Sequence, residues 1–187
     1  MIADLIKRSL PISERSIQLI ESLISIEPIR KGEMFISEGQ FNKSEYFILS
    51  GIVHSFLLSP EGEKITIDFF EGPAVLSPFV IRSKNDRATL NFETLTDTTL
   101  GAMDAKLFEQ LMVENLEIRE FANSVLKQEL SNKVNKEIAM ASLTAKDRLI
   151  LFREIYGGLE NKVPHSTISS YLGITTISLS RLRGDFP

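Results

Sequence analysis

The chain contains no cysteine. That excludes disulfides, thiolate catalysis and cysteine-ligated zinc or iron–sulfur clusters. It also fits a reducing compartment, so a cytoplasmic location is expected. Histidine is scarce as well: only His54 and His165 occur, in what are expected to be different domains. A metal enzyme on a jelly roll needs two or three histidines and a carboxylate converging on one ion, so no metal site is expected. No G-x-S-x-G elbow, Walker loop or carboxylate pair stands out, and an enzyme is not expected. Long apolar runs are missing too; none exceeds about four residues, against the ~20 that a membrane-spanning helix requires. The opening MIADLIKRSLPIS places Asp4 in its only apolar patch and is not expected to act as a secretion signal.

What is present is ordinary globular material. At 187 residues, 43% hydrophobic and 25% charged, the chain can build one large domain or two small ones around a real core. Its net charge of −4 conceals a division. Residues 140–187 carry six Lys or Arg against four acids, a balance of +2, and the remainder carries −6. The basic part is the tail, as a nucleic-acid reader would have it.

The period of the apolar residues changes twice. Ile12, Ile17, Leu19, Ile20 and Leu23 have helical spacing, with Ser13 as a candidate N-cap. From Ile24 to Met103 come short β-branched and aromatic runs (IEPIR, MFI, EYFILS, IVHSFLLS, KITIDFF, AVL, LNFETLT, TLGAM), separated by turn signals. In KITIDFF, Ile65, Ile67 and Phe69 alternate with Thr66 and Asp68, the pattern of a half-buried strand. Strands at this spacing predict a closed or double-layered unit, a jelly roll or β-roll. His54 lies in one such strand and reads as an ordinary strand residue. After Asp104 the helical period returns. Residues 106–113 predict a short amphipathic turn, and 115–141, free of Gly and Pro, predict a single long helix. Ile118, Phe121, Ala122 and Val125 form one apolar stripe on it; Leu126, Leu130, Val134 and Ile138 form another. A helix of ~27 residues runs ~40 Å, so two partners are expected: its own β-domain and the same helix of a second chain. The first stripe is taken as the dimer interface. Thr144, with Asp147 three residues on, predicts the start of a further helix that stops at Gly157-Gly158.

The stretch SSYLGITTISLSRLR at 169–183 is the most informative. With Gly173 as a corner, Ile168, Leu172, Ile174, Leu179 and Leu182 form the inner seam of two short helices. Ser169 is small where the axes come close, and Gly173 gives the corner that a β-carbon would obstruct. This is the helix-turn-helix pattern. Thr175, Thr176, Ile177, Ser178, Ser180 and Arg181 are left outside the seam or beside it. In a major groove they would meet base edges and phosphates, Arg181 in two hydrogen bonds to a guanine. A merely solvated face would carry Glu and Lys, but no acid occurs between Thr175 and Arg183. His165, near the start of the first tail helix, could approach a phosphate or simply sit at the surface.

On these residues the chain resembles the Crp/Fnr family of bacterial transcription regulators. GEMFISEGQFNKSEYFILSGIVHSFLLSPEGEKITIDFF, with Gly32, Glu38-Gly39, Tyr46-Phe47-Ile48, Gly51 and Gly62, is similar to the family's cyclic-nucleotide-binding domain. VPHSTISSYLGITTISLSRLR is similar to its DNA-reading element, above all Ser180-Arg181. The resemblance implies an α+β fold: an N-terminal double-stranded β-helix (jelly-roll or β-roll) sensor at 1–113, a long dimerisation helix at 114–141, and a C-terminal helix-turn-helix domain at 142–187. It also implies a homodimer on an inverted-repeat operator in double-stranded DNA, with RNA polymerase as a further partner. Base contacts carry over to Ser180 and Arg181. At Ile177 the family commonly has an acid, so the preference that acid sets is not carried over.

Two departures qualify the resemblance. The family's cyclic-AMP cassette has Gly-Glu-Leu and, about ten residues later, Arg-Ser, whose arginine meets the cyclic phosphate. Here AVLSPFVIRSKNDRATLNFETL puts Ser77-Pro78-Phe79 and Ala88-Thr89 in those places, with Arg87 one position away. Ser77, Phe79, Arg87 and Thr89 are the candidate effector residues. An unidentified small molecule, or none, is expected in place of cyclic AMP, because a cyclic phosphate without a cation would be costly to bury. Arg82, Lys84 and Arg87 read as a solvated loop. The second departure is that four residues follow Arg183, so the wing beyond the reading helix is expected to be truncated or absent. The competing interpretation is a sensor or interaction module whose tail helices contact protein instead of DNA.

Overall fold

The computed structural model describes residues 2–184; the expected truncation of the wing falls on 185–187, outside the described residues. Two helices come first, α1 (Ile2–Ser9) and α2 (Glu14–Ser22). Ser13 caps α2 as expected, its side chain accepting the Ser16 N–H. Then follow β1 (Ser25–Ile29), β2 (Met34–Ile36), β3 (Ser44–Ser50), β4 (Ile52–Leu58), β5 (Lys64–Glu71) and β6 (Ala74–Val75). A one-turn helix α3 (Phe79–Arg82) and a small hairpin, β7 (Ser83–Lys84) and β8 (Arg87–Ala88), interrupt the series before β9 (Asn91–Thr94) and β10 (Thr98–Asp104). The hairpin turns at Asn85-Asp86, both at positive φ, the conformation that matches strand twist in a two-residue turn.

The strands form two four-stranded sheets, ordered β1-β10-β3-β6 and β2-β9-β4-β5. Ile36, Tyr46, Ile48, Val53, Phe70, Phe92 and Leu100 fill the space between them, and this is the expected β-roll. Because side chains alternate along a strand, Phe47 and Leu49 of β3 point the other way. They pack with Ile6, Ile17, Ile20, Met103, Ile118 and Phe121 in a second core. Gly51 makes the β3–β4 corner at φ +96, where a β-carbon would come within 2.7 Å of the Asp97 carbonyl oxygen.

Helices α4 (Ala105–Glu114), α5 (Leu116–Ser142), α6 (Ala145–Ile155), α7 (His165–Leu172) and α8 (Thr176–Gly184) complete the chain, with a 3-10 turn at Leu159–Asn161. The long uninterrupted helix is α5, and Thr144 caps α6 with Asp147 bonded back to it. The chain clusters into two compact units. One takes in the residues up to His54 and Phe69–Ser131; the other takes in Ser55–Asp68 and the residues from Asn132 on.

The tip of the β4–β5 hairpin thus belongs with the C-terminal helices, and this changes the expected burial at the start of β5. Phe69 of the expected apolar face is buried, but Ile67 is half-buried and Ile65 exposed, whereas Thr66 and Asp68 are buried. Alternation defines two faces without saying which is covered. Here the polar face is covered, because the helices supply partners for it. Thr66 N–H donates to Ser170 Oγ (2.9 Å), which donates to the Lys64 carbonyl (3.1 Å). Asp68 accepts from Tyr156 Oη (2.8 Å) and pairs with Lys133. Lys136 bonds the Ile67 carbonyl and lies 3.7 Å from the Tyr171 ring centroid.

Burial pushes the Lys136 ammonium down to about 8, against partial support from Asp68 and with added repulsion from Lys133. A lowered lysine costs stability at neutral pH, where folded and unfolded forms are both charged. The cost is relieved as pH rises through about 8, where the folded form sheds its proton while the unfolded chain keeps its own until about 10.5. Denaturant titrations should show wild type gaining on Lys136→Met by on the order of 3 kcal/mol between pH 7 and 10.5. A difference that stays flat across that range would contradict the burial.

Candidate nucleic-acid interface and effector cassette

Gly173 sits at φ +66 between α7 and α8. Its N–H bonds the Ser170 carbonyl (3.1 Å), and the Ile174 N–H bonds that of Ser169 (3.0 Å). These satisfy carbonyls at the end of α7 while the left-handed residue turns the chain. Thr175 then caps α8, its hydroxyl accepting the Ser178 N–H at 3.1 Å. Ile168, Ser169, Leu172 and Leu179 are buried at the seam; Ile174 and Leu182 are half-buried. The corner is braced by Arg148 of α6, which donates to the carbonyls of Leu172 and Leu143, each at 3.0 Å. A cation placed there also suits the negative ends of α7 and α5.

Of the six expected interface residues, Thr175, Thr176, Ile177, Ser180 and Arg181 are exposed and Ser178 is half-buried. They share the first turns of α8, so the structure gathers them on one element. The other late arginine behaves differently. Arg183 Nε lies 2.8 Å from Glu160, and the guanidinium also meets His165. Glu160 in turn accepts two bonds from Arg153, at 2.7 and 3.1 Å, which hold its carboxyl below the usual range. Arg148, Arg153 and Arg183 therefore serve the fold. The modest positive balance of the tail overstates the cations available to a partner, a distinction invisible in a charge count.

The long helix requires a correction. Ile118 and Phe121, expected at a dimer interface, are 0% and 1% exposed and lie in the core under α1, α2 and β3. Ala122 and Val125 pack against the same core. Of the second stripe, Leu130, Val134 and Ile138 are exposed, at 60%, 45% and 57%, while Leu126 is half-buried. Both stripes are apolar in sequence; the core of the first unit claims the residues of the first stripe.

The cassette contains a second correction. Arg82, expected in a solvated loop, is 1% exposed. Its Nε donates to the Ser77 carbonyl (3.1 Å), one Nη to Asn42 (2.9 Å) and the other to the Ser44 carbonyl. The guanidinium lies over Tyr46 and Phe79, at 5.1 and 5.5 Å from the ring centroids, and 3.9 Å from Glu45. Glu45 also accepts the Phe79 N–H, at 2.9 and 3.1 Å. Burial raises the Glu45 carboxyl despite Arg82, and burial lowers the Arg82 guanidinium. Ser77, Phe79 and Thr89 all surround Arg82, Thr89 by its hydroxyl on the Arg82 carbonyl (3.0 Å). Arg87 does not join them: it is exposed, bonds the Gly39 carbonyl (2.7 Å) and stacks on Phe41. Sequence reasoning missed Glu45 and Arg82. The available signal was a lone charge at the head of an apolar strand and another closing an apolar turn. His54 is buried, 4.0 Å from Glu93 and stacked on Phe69.

Residues 26–115 match the family of the cyclic nucleotide-binding domain. No curated protein matches the chain by sequence. Among solved structures, FixK2 from Bradyrhizobium japonicum aligns with a TM-score of 0.74 at 18% identity, over 87% of this chain and 83% of that one. The c-di-GMP-responsive global regulator CLP of Xanthomonas campestris aligns at 0.73 and 13%, over 92% and 91%. A transcriptional regulator described as Crp/Fnr from Eubacterium rectale aligns at 0.72 and 18%, over 96% and 87%. The roll thus matches the cyclic nucleotide-binding domain in sequence. With its long helix and closing pair of helices, the chain has the fold of the Crp/Fnr regulators, as the sequence resemblance implies. Among the described residues, no helix is long and apolar enough to cross a membrane.

Proposed function

We propose that the protein is a cytoplasmic, dimeric transcription regulator that reads an inverted-repeat operator with α8. In this reading residues 1–113 sense, 114–141 join two copies, and 142–187 bind DNA, with RNA polymerase as a downstream partner. The observation that carries it is the exposed face Thr175, Thr176, Ile177, Ser180 and Arg181 on a helix whose opposite side is sealed by Leu179. Five exposed positions on the first two turns match what a recognition helix presents to base edges and phosphates. The absence of an acid from 175 to 183 spares that face repulsion from the backbone of DNA.

For the second copy, the support is the bare stripe Leu130, Val134 and Ile138. Their spacing of four places them along one side of α5, where a copy of the same helix would cover them. For the sensor, the support favours a ligand other than cyclic AMP. Tyr46, Phe35, Phe92 and Phe70 form a chain of ring contacts within the roll, at 5.5 to 6.3 Å between successive centroids. The cation of the cassette, Arg82, already has its own partners there.

A mobility-shift titration against the DNA upstream of its own gene tests the DNA reading. Wild type should shift with affinity falling steeply as salt rises. Arg181→Ala should lose preference for that DNA over random sequence by roughly 5- to 150-fold, the equivalent of about 1–3 kcal/mol. Failure to shift at low salt would favour the alternative in which α8 contacts protein. Leu130→Glu with Val134→Glu should convert a dimer to a monomer by sedimentation and reduce operator affinity at least tenfold. A double variant that sediments as wild type would place the joint elsewhere.

A further inference from the structure

A cavity of about 130 Å³ lies on the outer face of the β-roll, not in its interior. The parity of β3 establishes this. Glu45 and Phe47 line the cavity, whereas Tyr46 and Ile48 face the space between the sheets. One wall is the cassette, through Pro78 and Val80; the facing wall is α5, from Phe121 to Leu126; Phe108 of α4 closes the end. Apart from Glu45 and Asn123 the lining is apolar. Val80, 69% exposed, stands at the mouth.

The size of this space selects its occupant. Drug-sized ligands fill about 300–1,000 Å³, and an apolar cavity of roughly 150 Å³ stays dry and takes benzene. The space here holds one ring. Glu45 adds a chemical condition. It accepts the Phe79 N–H and faces Arg82, yet an ionised carboxylate has about four lone-pair sites, so it can accept one more donor. A ligand anion would have to leave water for an apolar wall beside this carboxylate, which is costly.

We propose that this outer cavity is a binding site for a small, uncharged, single-ring molecule that donates one hydrogen bond to Glu45. The site is separate from the roll interior that a nucleotide would fill. Its two walls are the cassette helix α3 and the first half of α5, so an occupant spaces one against the other. The proposal deepens the sensor reading and rests on it only for that consequence; binding itself is measured without DNA.

Calorimetric titration of the full chain with phenol, toluene and benzoate tests it. Phenol should saturate a single site. Toluene, which lacks the donor, should bind about fivefold more weakly, the equivalent of one hydrogen bond, and benzoate at least tenfold more weakly. Ala122→Leu, which grows into the cavity from α5, should weaken phenol at least tenfold. If that variant melts early, Val80→Trp across the exposed mouth should do the same without entering the core. Non-saturating heats with phenol, benzoate equal to phenol, or wild-type binding by the filled variants would each overturn the proposal. None of those results would bear on the reading of DNA by α8.

Discussion

The exposed face of α8 depends on how the last two helices meet. Burying Ile168, Leu172 and Leu179 is worth about 1.5–3 kcal/mol for each side chain. All three can be buried at once only if the chain turns sharply between α7 and α8, as Gly173 does at φ +66. Against that total, no comparable gain is available from turning Arg181 inward, where its charge would need a partner. The hydroxyls and the arginine are therefore outside because the seam takes the apolar residues, and Arg148 fixes the corner from the other side. Function, on this account, is what the seam leaves exposed.

Wherever period alone decides structure, the sequence was sufficient. The succession of short strands, the Gly- and Pro-free helix, the caps at Ser13 and Thr144 and the corner at Gly173 were all legible, because each is a local matter of spacing or dihedral angle. What was not legible depends on which neighbour arrives. The two faces of β5 could be written down, but not that Ser170 and Tyr156 would bury Thr66 and Asp68 while Ile65 stayed in water. The two stripes of α5 could be written down as well, but not that the core under α1 and α2 would claim Ile118 and Phe121. Arg82 is the clearest case. Its burial needs Asn42, Ser44 and Glu45, some forty residues away, and no local pattern announces so distant a set of partners.

These tertiary choices also divide the molecule's charges by task. Arg82, Arg148, Arg153 and Arg183 each meet an acid, a carbonyl or both. For Arg82, which is buried, losing its partners is more damaging than never having built the site; the other three are engaged in bonds that brace the C-terminal helices. Among the described residues Arg181 shows no such commitment, and it is exposed. In the β-roll, the same division sets the Arg82–Glu45 pair beside an apolar cavity, while aromatic rings pack in the roll's interior.

The most direct measurement is amide and side-chain NMR of the intact protein titrated with its own upstream duplex. The account predicts that the largest shift changes fall on Thr175 through Arg181, with the methyls of Ile168 and Leu172 nearly unmoved because the seam stays closed. Changes concentrated on another surface, with α8 silent at saturating DNA, would contradict it.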